Sequence, residues 1–179
     1  PAEIDINEFR SISAVFDSSV AKFRDRAALS SFGKELTYGQ MEEKVEQFAA
    51  YLQCELQLKK GDWIAIMMPN CLQYPIAIFA ALRAGLTVVN VNPLYTAREM
   101  EHQFNDAGAK ALVCLANMAH LAEEVLPKTG IKHVVITEVA DMLPPLKRML
   151  INAVVKHVKK MVPAYSLPKA VKLNDALAL

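Results

Sequence analysis

Two histidines stand one helical turn ahead of a carboxylate: His102 before Asp106, and His120 before Glu124. An imidazole and a carboxylate four residues apart on a helix share one face, where they could share a metal. A zinc site uses three or four ligands, and neither pair has a recognisable third, so both read better as surface helix pairs. Cys71 falls near an expected helix start, which can lower a thiol pKa. No base accompanies it, and a buried or inert thiol is the better reading. Asn70 and Asn92 close expected strands at positions where a ligand would sit, yet turn formation and capping explain asparagine there more readily. The glycines, at 33, 39, 61, 85, 108 and 130, are too scattered for G-x-G-x-x-G or a Walker loop, and no G-x-S-x-G elbow occurs. No residue is assigned a catalytic, cofactor-binding or metal-binding role.

The remaining chemistry is basic charge. The 179 residues carry a net charge of +1, which gives no reason to expect nucleic acid. From Met142 to Asn174, however, there are seven Lys or Arg and no Asp or Glu, leaving 13 basic against 19 acidic residues elsewhere. Such a segregation points to a local anionic partner. Over 146–162, at 100° per residue, Arg148, Asn152, Lys156, Lys159 and Lys160 share one sector. Leu146, Leu150, Val154, Val158 and Met161 fill much of the other. The spacing predicts a basic amphipathic helix ending before Pro163. Arg148, Lys156, Lys159 and Lys160 are the membrane-contact candidates, each contributing roughly 1 kcal/mol near an anionic leaflet. Against this stands the plainer reading, weighed slightly ahead: the apolar face packs on the domain and the lysines are solvated.

The elements that position these residues alternate. Helical spacing over 11–26 is followed by two short β-prone runs about Phe32-Gly33-Lys34, a hairpin. Thr37 with Gln40 reads as a capping box opening a helix that buries Met41, Val45, Phe48, Ala49 and Leu52. After the turn Lys60-Gly61-Asp62, "WIAIMM" is a continuous apolar run suited to a strand covered on both faces. A helix over 72–84 ends at Gly85, a left-handed cap residue. A strand at 87–91 leads to a second capping box, Thr96 with Glu99, whose helix stops before Gly108. A strand over 109–115, a helix over 118–126 and a strand over 133–139 complete the alternation. The tail reads as a short strand and a helix capped by Asn174. This order predicts an open, doubly wound, mostly parallel α/β sheet with flanking helices. Residues 1–140 form that subdomain, and 141–179 carry the basic amphipathic helix and an incomplete connecting segment.

At 53% hydrophobic and 22% charged the chain has the composition of a globular protein. Three scattered cysteines without Cys-x-x-Cys suit a reducing cytosol, and the opening "PAEIDINEF" has no signal-peptide pattern. A cytoplasmic location is expected, with attachment to the inner face of the inner membrane through the basic helix.

Three stretches in order resemble a known family: "LTYGQMEEKVEQFAAYLQ", "LKKGDWIAIMMPNCLQYPIAIFAALRAGLTVVNVNPLYTAREMEHQFNDAGAKALV" and "HVVIT". Together they look like the N-terminal part of adenylate-forming (AMP-binding) enzymes. The detail in "MMPNCLQYPIAIFAALRAG", "VNVNPLYTAREMEHQ" and "VVKHVKKMVPAYSLP" is similar to bacterial long-chain fatty-acid–CoA ligases. The resemblance implies a two-step reaction. ATP with magnesium and a long-chain fatty acid give acyl-adenylate and pyrophosphate, and coenzyme A then displaces AMP. The family's Ser/Thr/Gly-rich loop with a lysine, its Tyr-Gly-x-Thr-Glu run and its mobile C-terminal lysine have no match in this chain. The implied role is therefore scaffold of the first subdomain, inactive alone, with the remainder of the same polypeptide as its partner. The competing reading is a free-standing, non-enzymatic α/β binding module.

Overall fold

The computed structural model describes residues 7–179, so the first six residues of the polar opening lie outside it. The first helix, α1 (Ile12–Phe23), is capped by the Ser11 side chain, which accepts from the Ala14 N–H. A hairpin of β1 (Ala27–Ser31) and β2 (Lys34–Thr37) turns through Phe32-Gly33. The α2 helix (Tyr38–Ala50) opens with the expected capping box: Thr37 Oγ1 accepts from the Gln40 N–H, and Gln40 Oε1 accepts from the Thr37 N–H. Then come β3 (Trp63–Met67), α3 (Gln73–Arg83), β4 (Thr87–Asn90), α4 (Ala97–Ala107), β5 (Ala111–Leu115), α5 (Ala119–Val125) and β6 (His133–Thr137). The chain closes with α6 (Pro145–Ala153), β7 (Val171–Lys172) and α7 (Leu173–Ala176).

Strands β3 to β7 form one parallel sheet in the order β4-β3-β5-β6-β7. Period-two alternation sends Ile64, Ile66, Val113 and Val135 to one face, where they join Phe48, Leu52, Ile76 and Leu173. Ala65, Met67, Leu112 and Cys114 go to the other, with Met100, Phe104, Ala119 and Val125. Apolar surface is thus removed from water on both sides, which is why β3 and β5 read as uninterrupted apolar runs. Helices α1, α2 and α3 cover the first face, and α4 and α5 the second. From the tail, β7 pairs with β6, and Leu173, Ala176 and Leu177 enter the first core.

Two turns explain their glycines. Gly85 follows α3 at φ 77°, and a Cβ there would stand 3.1 Å from Lys60 Cγ while the Gly85 carbonyl accepts from the Gly61 N–H. Gly108 caps α4 at φ 61°.

Three expectations are corrected. The helix foreseen over 146–162 is α-helical only to Ala153, continues as a π-turn (Val154–Val158) and closes at Lys160, whose φ is 52°. The closing bonds, Lys159 N–H to the Val154 carbonyl and Met161 N–H to that of Val155, reach back further than the i to i−4 bonds of an α-helix. Second, α7 starts directly from β7 with Lys172 as its cap residue; Asn174 lies inside the helix and donates to the Asp141 carbonyl at 3.3 Å. Third, the strand foreseen to 139 stops at Thr137, where the Asp141 carboxylate captures the Glu138 N–H at 2.7 Å.

Where β3 and β5 begin, Asp62 accepts from Lys110 Nζ at 2.6 Å and from the Lys59 N–H at 2.8 Å. The lysine bond, then the backbone bond, hold its carboxyl below the usual range. A lowered folded-state pKa stabilises above the unfolded value, near 4, and that contribution fades as pH falls through the folded value. Asp62→Asn is therefore expected to melt below the parent at neutral pH, with the gap in Tm shrinking as pH drops below about 4. A gap independent of pH across thermal melts would remove this ion pair from the acid response.

Candidate functional site

From β3 the chain winds outward to β4, then crosses back to β5 and on to β6 and β7. The winding reverses between β3 and β5, and in open α/β sheets ligands collect at the carboxyl edge beside such a reversal. Here that edge is formed by 68–72 after β3, 91–96 after β4, 116–118 after β5 and 138–144 after β6. Asn70 and Cys71 reach a recess of about 230 Å³ shared with Leu29, Ser31 and Tyr74. Asn92 makes its own turn: its Oδ1 accepts from the Leu94 N–H at 3.0 Å and its carbonyl from the Tyr95 N–H at 3.0 Å. It is a turn residue, as its type favours.

Neither Cys71 nor Cys114 is poised for chemistry. Burial pushes the Cys71 thiol up, outweighing the backbone N–H groups of Tyr74 and Gln73. Cys114, fully enclosed in β5, is pushed up to about 12. A thiolate is scarce at both. His102 and Asp106 are both exposed on α4. His120 keeps its Nδ1 buried without a hydrogen-bond partner. Among the described residues, no three His, Cys, Asp or Glu side chains gather as a metal site.

What the carboxyl edge does hold is a polar clamp absent from the sequence reading. Gln73, at the start of α3 and only 1% exposed, donates through Nε2 to Thr137 Oγ1 at 3.2 Å and to the Glu138 carbonyl at 2.8 Å. The Thr137 hydroxyl donates in turn to Asp141 Oδ2 at 3.0 Å. Asn152 of α6 closes the network: its Oδ1 accepts from the Ala140 N–H at 3.0 Å, and its Nδ2 donates to Glu138 Oε2 at 3.0 Å and to Asp141 Oδ1 at 3.3 Å. Backbone groups freed where β6 ends are thereby satisfied by side chains. The one available signal was Gln73 on an otherwise apolar helix stripe, 64 residues from its partner.

Beside the clamp lies a cleft of about 460 Å³ between α6 and the sheet end. Glu138, Asp141 and Asp175 line it together with Arg148, Lys156 and Lys172. Three acids facing three bases leave little net field for a charged ligand. Burial raises the Tyr165 phenol that lines the cleft, with the charge of Glu138 adding to the shift. The four membrane-contact candidates are therefore divided: Arg148, half-buried, and Lys156, exposed, line the cleft, while Lys159 and Lys160 are exposed at the helix end outside it. The packing foreseen for the apolar side is also overturned. No residue of α6 is buried, and Leu146, Met149 and Leu150 face solvent, because Asn152 rather than a leucine docks on the domain.

A parallel sheet with reversed winding and helices on both faces defines an open α/β domain of the doubly wound class. The chain belongs to the AMP-binding enzyme family, which it matches over residues 16–179. It is 50% identical over 177 residues to a long-chain-fatty-acid–CoA ligase of Escherichia coli O157:H7, a match covering 99% of this chain and 32% of the relative. The chain thus spans about a third of the length of the curated relatives it matches, 31% for the ligase of Haemophilus influenzae Rd, to which it is 49% identical. A long-chain-fatty-acid-CoA ligase from Archaeoglobus fulgidus superimposes with a TM-score of 0.66 at 25% identity, over 79% of this chain and 30% of that one. A benzoate CoA ligase from Burkholderia xenovorans LB400 shares the fold, with a TM-score of 0.72 at 18% identity over 95% of this chain and 28% of that one.

Proposed function

We propose that the polypeptide carrying this chain is a long-chain fatty-acid–CoA ligase, and that residues 1–179 are scaffold of its opening subdomain. Identity of 50% to a ligase of that name, spread over 177 residues, carries the reading. In the reaction a fatty carboxylate oxygen attacks the α-phosphorus of ATP and pyrophosphate leaves. The coenzyme A thiolate then attacks the acyl carbon and AMP leaves. Charge on the phosphates would be stabilised by preorganised donors and magnesium.

The described residues do not fit those groups. No glycine lies in the carboxyl-edge loops, so the backbone forms no phosphate cradle there. No carboxylate cluster suits magnesium. Asp141 and Glu138 are engaged by Thr137 and Asn152. No chemical step is assigned to this chain; its role is to hold the carboxyl edge rigid.

Fatty-acid-dependent ATP–pyrophosphate exchange tests both parts. The full-length polypeptide is expected to exchange, while residues 1–179, shown folded by circular dichroism, give no rate above buffer. Exchange by 1–179 would sink the scaffold role. A full-length protein without fatty-acid-dependent exchange would sink the ligase.

A further inference from the structure

The helix 146–158 shows solvent the side that an amphipathic helix ordinarily buries. Leu146 is 73% exposed, Met149 66%, Leu150 62%, Val158 70% and, just past the helix, Met161 57%. Its inward side is narrow: Ile151, Asn152 and Val155 are half-buried, and Asn152 supplies the hydrogen bonds that dock it. The chain returns to the domain immediately afterwards, where Asn117 Nδ2 donates to the Met161 carbonyl at 2.8 Å and the Ser166 N–H donates to Glu123 at 2.9 Å. The apolar row is therefore held out from both ends.

Charge selects its occupant. Lys147, Lys159 and Lys160 are exposed around the row, and no acid occurs from Met142 to Asn174 to oppose them. Arg148 and Lys156 already face Glu138, Asp141 and Asp175 across the cleft. A purely apolar partner would cover the row but strand the lysines. An anionic bilayer meets both needs, since its acyl boundary accepts apolar side chains and its phosphates accept amines. Lysine stems can lie along the row while the ammonium groups reach the headgroups. Thirteen helical residues extend roughly 20 Å, too short to span a bilayer, so such a helix lies in its plane.

We propose that residues 146–161 form an in-plane lipid-binding helix, with Leu146, Met149, Leu150, Val158 and Met161 in the acyl boundary of an anionic leaflet and Lys147, Lys159 and Lys160 on its phosphates. A single short helix of this kind binds weakly and is sensitive to salt.

The test is flotation of the full-length polypeptide with phosphatidylcholine vesicles containing about 30% phosphatidylglycerol, compared with phosphatidylcholine alone. The parent should float with the anionic vesicles and lose most binding as salt rises from about 0.05 to about 0.5 M. Leu150→Asp/Val158→Asp should cut the bound-to-free ratio about tenfold or more. Lys159→Glu/Lys160→Glu should cut it further than Lys156→Glu, because Lys156 faces the cleft. Leu150→Asp/Val158→Asp and Lys159→Glu/Lys160→Glu should keep the parent's melting midpoint and oligomeric state, since the altered side chains are exposed and lie outside the cleft. No binding at low salt, or binding indifferent to Leu150→Asp/Val158→Asp, overturns the proposal. A lowered melting midpoint in that variant would give the row to the rest of the polypeptide, and a dissociated oligomer in light scattering would give it to a second copy. Either result also overturns it. Flotation uses neither ATP nor fatty acid, so it succeeds or fails independently of the ligase reading.

Discussion

Phe48→Ala is expected to destabilise the domain by about 3–5 kcal/mol, the largest loss from one side chain on the α2 face. Phe48 is 0% exposed and stacks on Tyr51 with ring centroids 6.1 Å apart. The ring removed would leave a void, because α2 lies against α3 and the buried stripe of α3 includes Ala77, Ala80 and Ala81. Alanines already allow close helix approach and have no side chain that can swing into the gap, so the site collapses poorly. For a chain of this size the loss should lower Tm by on the order of 10 °C. Phe48→Leu keeps most of the volume and should cost under about 1.5 kcal/mol. Denaturant titrations measure both. A Phe48→Ala loss no larger than that of Phe48→Leu would mean that the helices close over the void.

The same region shows what a sequence displays and what it hides. Thr37 with Gln40 and Thr96 with Glu99 were legible because each capping box is a pair three residues apart whose partners are the adjacent backbone. The strands were legible because burial on both faces leaves an unbroken apolar run, as in β5, whose five residues are all buried. The helix endings at Gln57 and Lys160 were not. Both take a left-handed φ, 53° and 52°, after a π-turn, where glycine or asparagine is the usual marker and neither is present. The orientation of α6 was hidden for another reason. Periodicity shows that a helix has an apolar side but not which side meets the domain; that is decided by Asn152 and acceptors 11 and 14 residues away. The candidate site was the least legible part. Its central contact, Gln73 to Thr137, joins neutral residues far apart in the chain and resembles no motif.

Gln73→Leu is expected to cost about 2–4 kcal/mol although it makes the residue more apolar. Leucine nearly fills the space but donates nothing, so the Glu138 carbonyl loses the amide at 2.8 Å and keeps only the Thr137 hydroxyl at 3.4 Å, while Thr137 Oγ1 loses the amide at 3.2 Å and keeps its bond to Asp141. Losing the amide weakens the satisfaction of both acceptors at a site closed to solvent on the Gln73 side, where an unmet polar group costs about 1–3 kcal/mol, and this outweighs the transfer gain of the side chain. Thr137→Val removes the acceptor of that bond and the donor to Asp141 together, so its own loss should be similar. Because one hydrogen bond is counted in both losses, Gln73→Leu/Thr137→Val should fall short of their sum by about 1 kcal/mol. Asn152 meets the network through Ala140, Glu138 and Asp141 and touches neither Gln73 nor Thr137, so Asn152→Ala with Gln73→Leu should add within about 0.5 kcal/mol. Equilibrium unfolding of the three single and two double variants separates the cases. Coupling confined to Gln73 and Thr137 makes α3 and the end of β6 one unit on which α6 is clipped. Equal coupling of Gln73 to Asn152 would make the carboxyl edge a single cooperative body, α6 included, and displacing that helix would then disturb the sheet end beneath it.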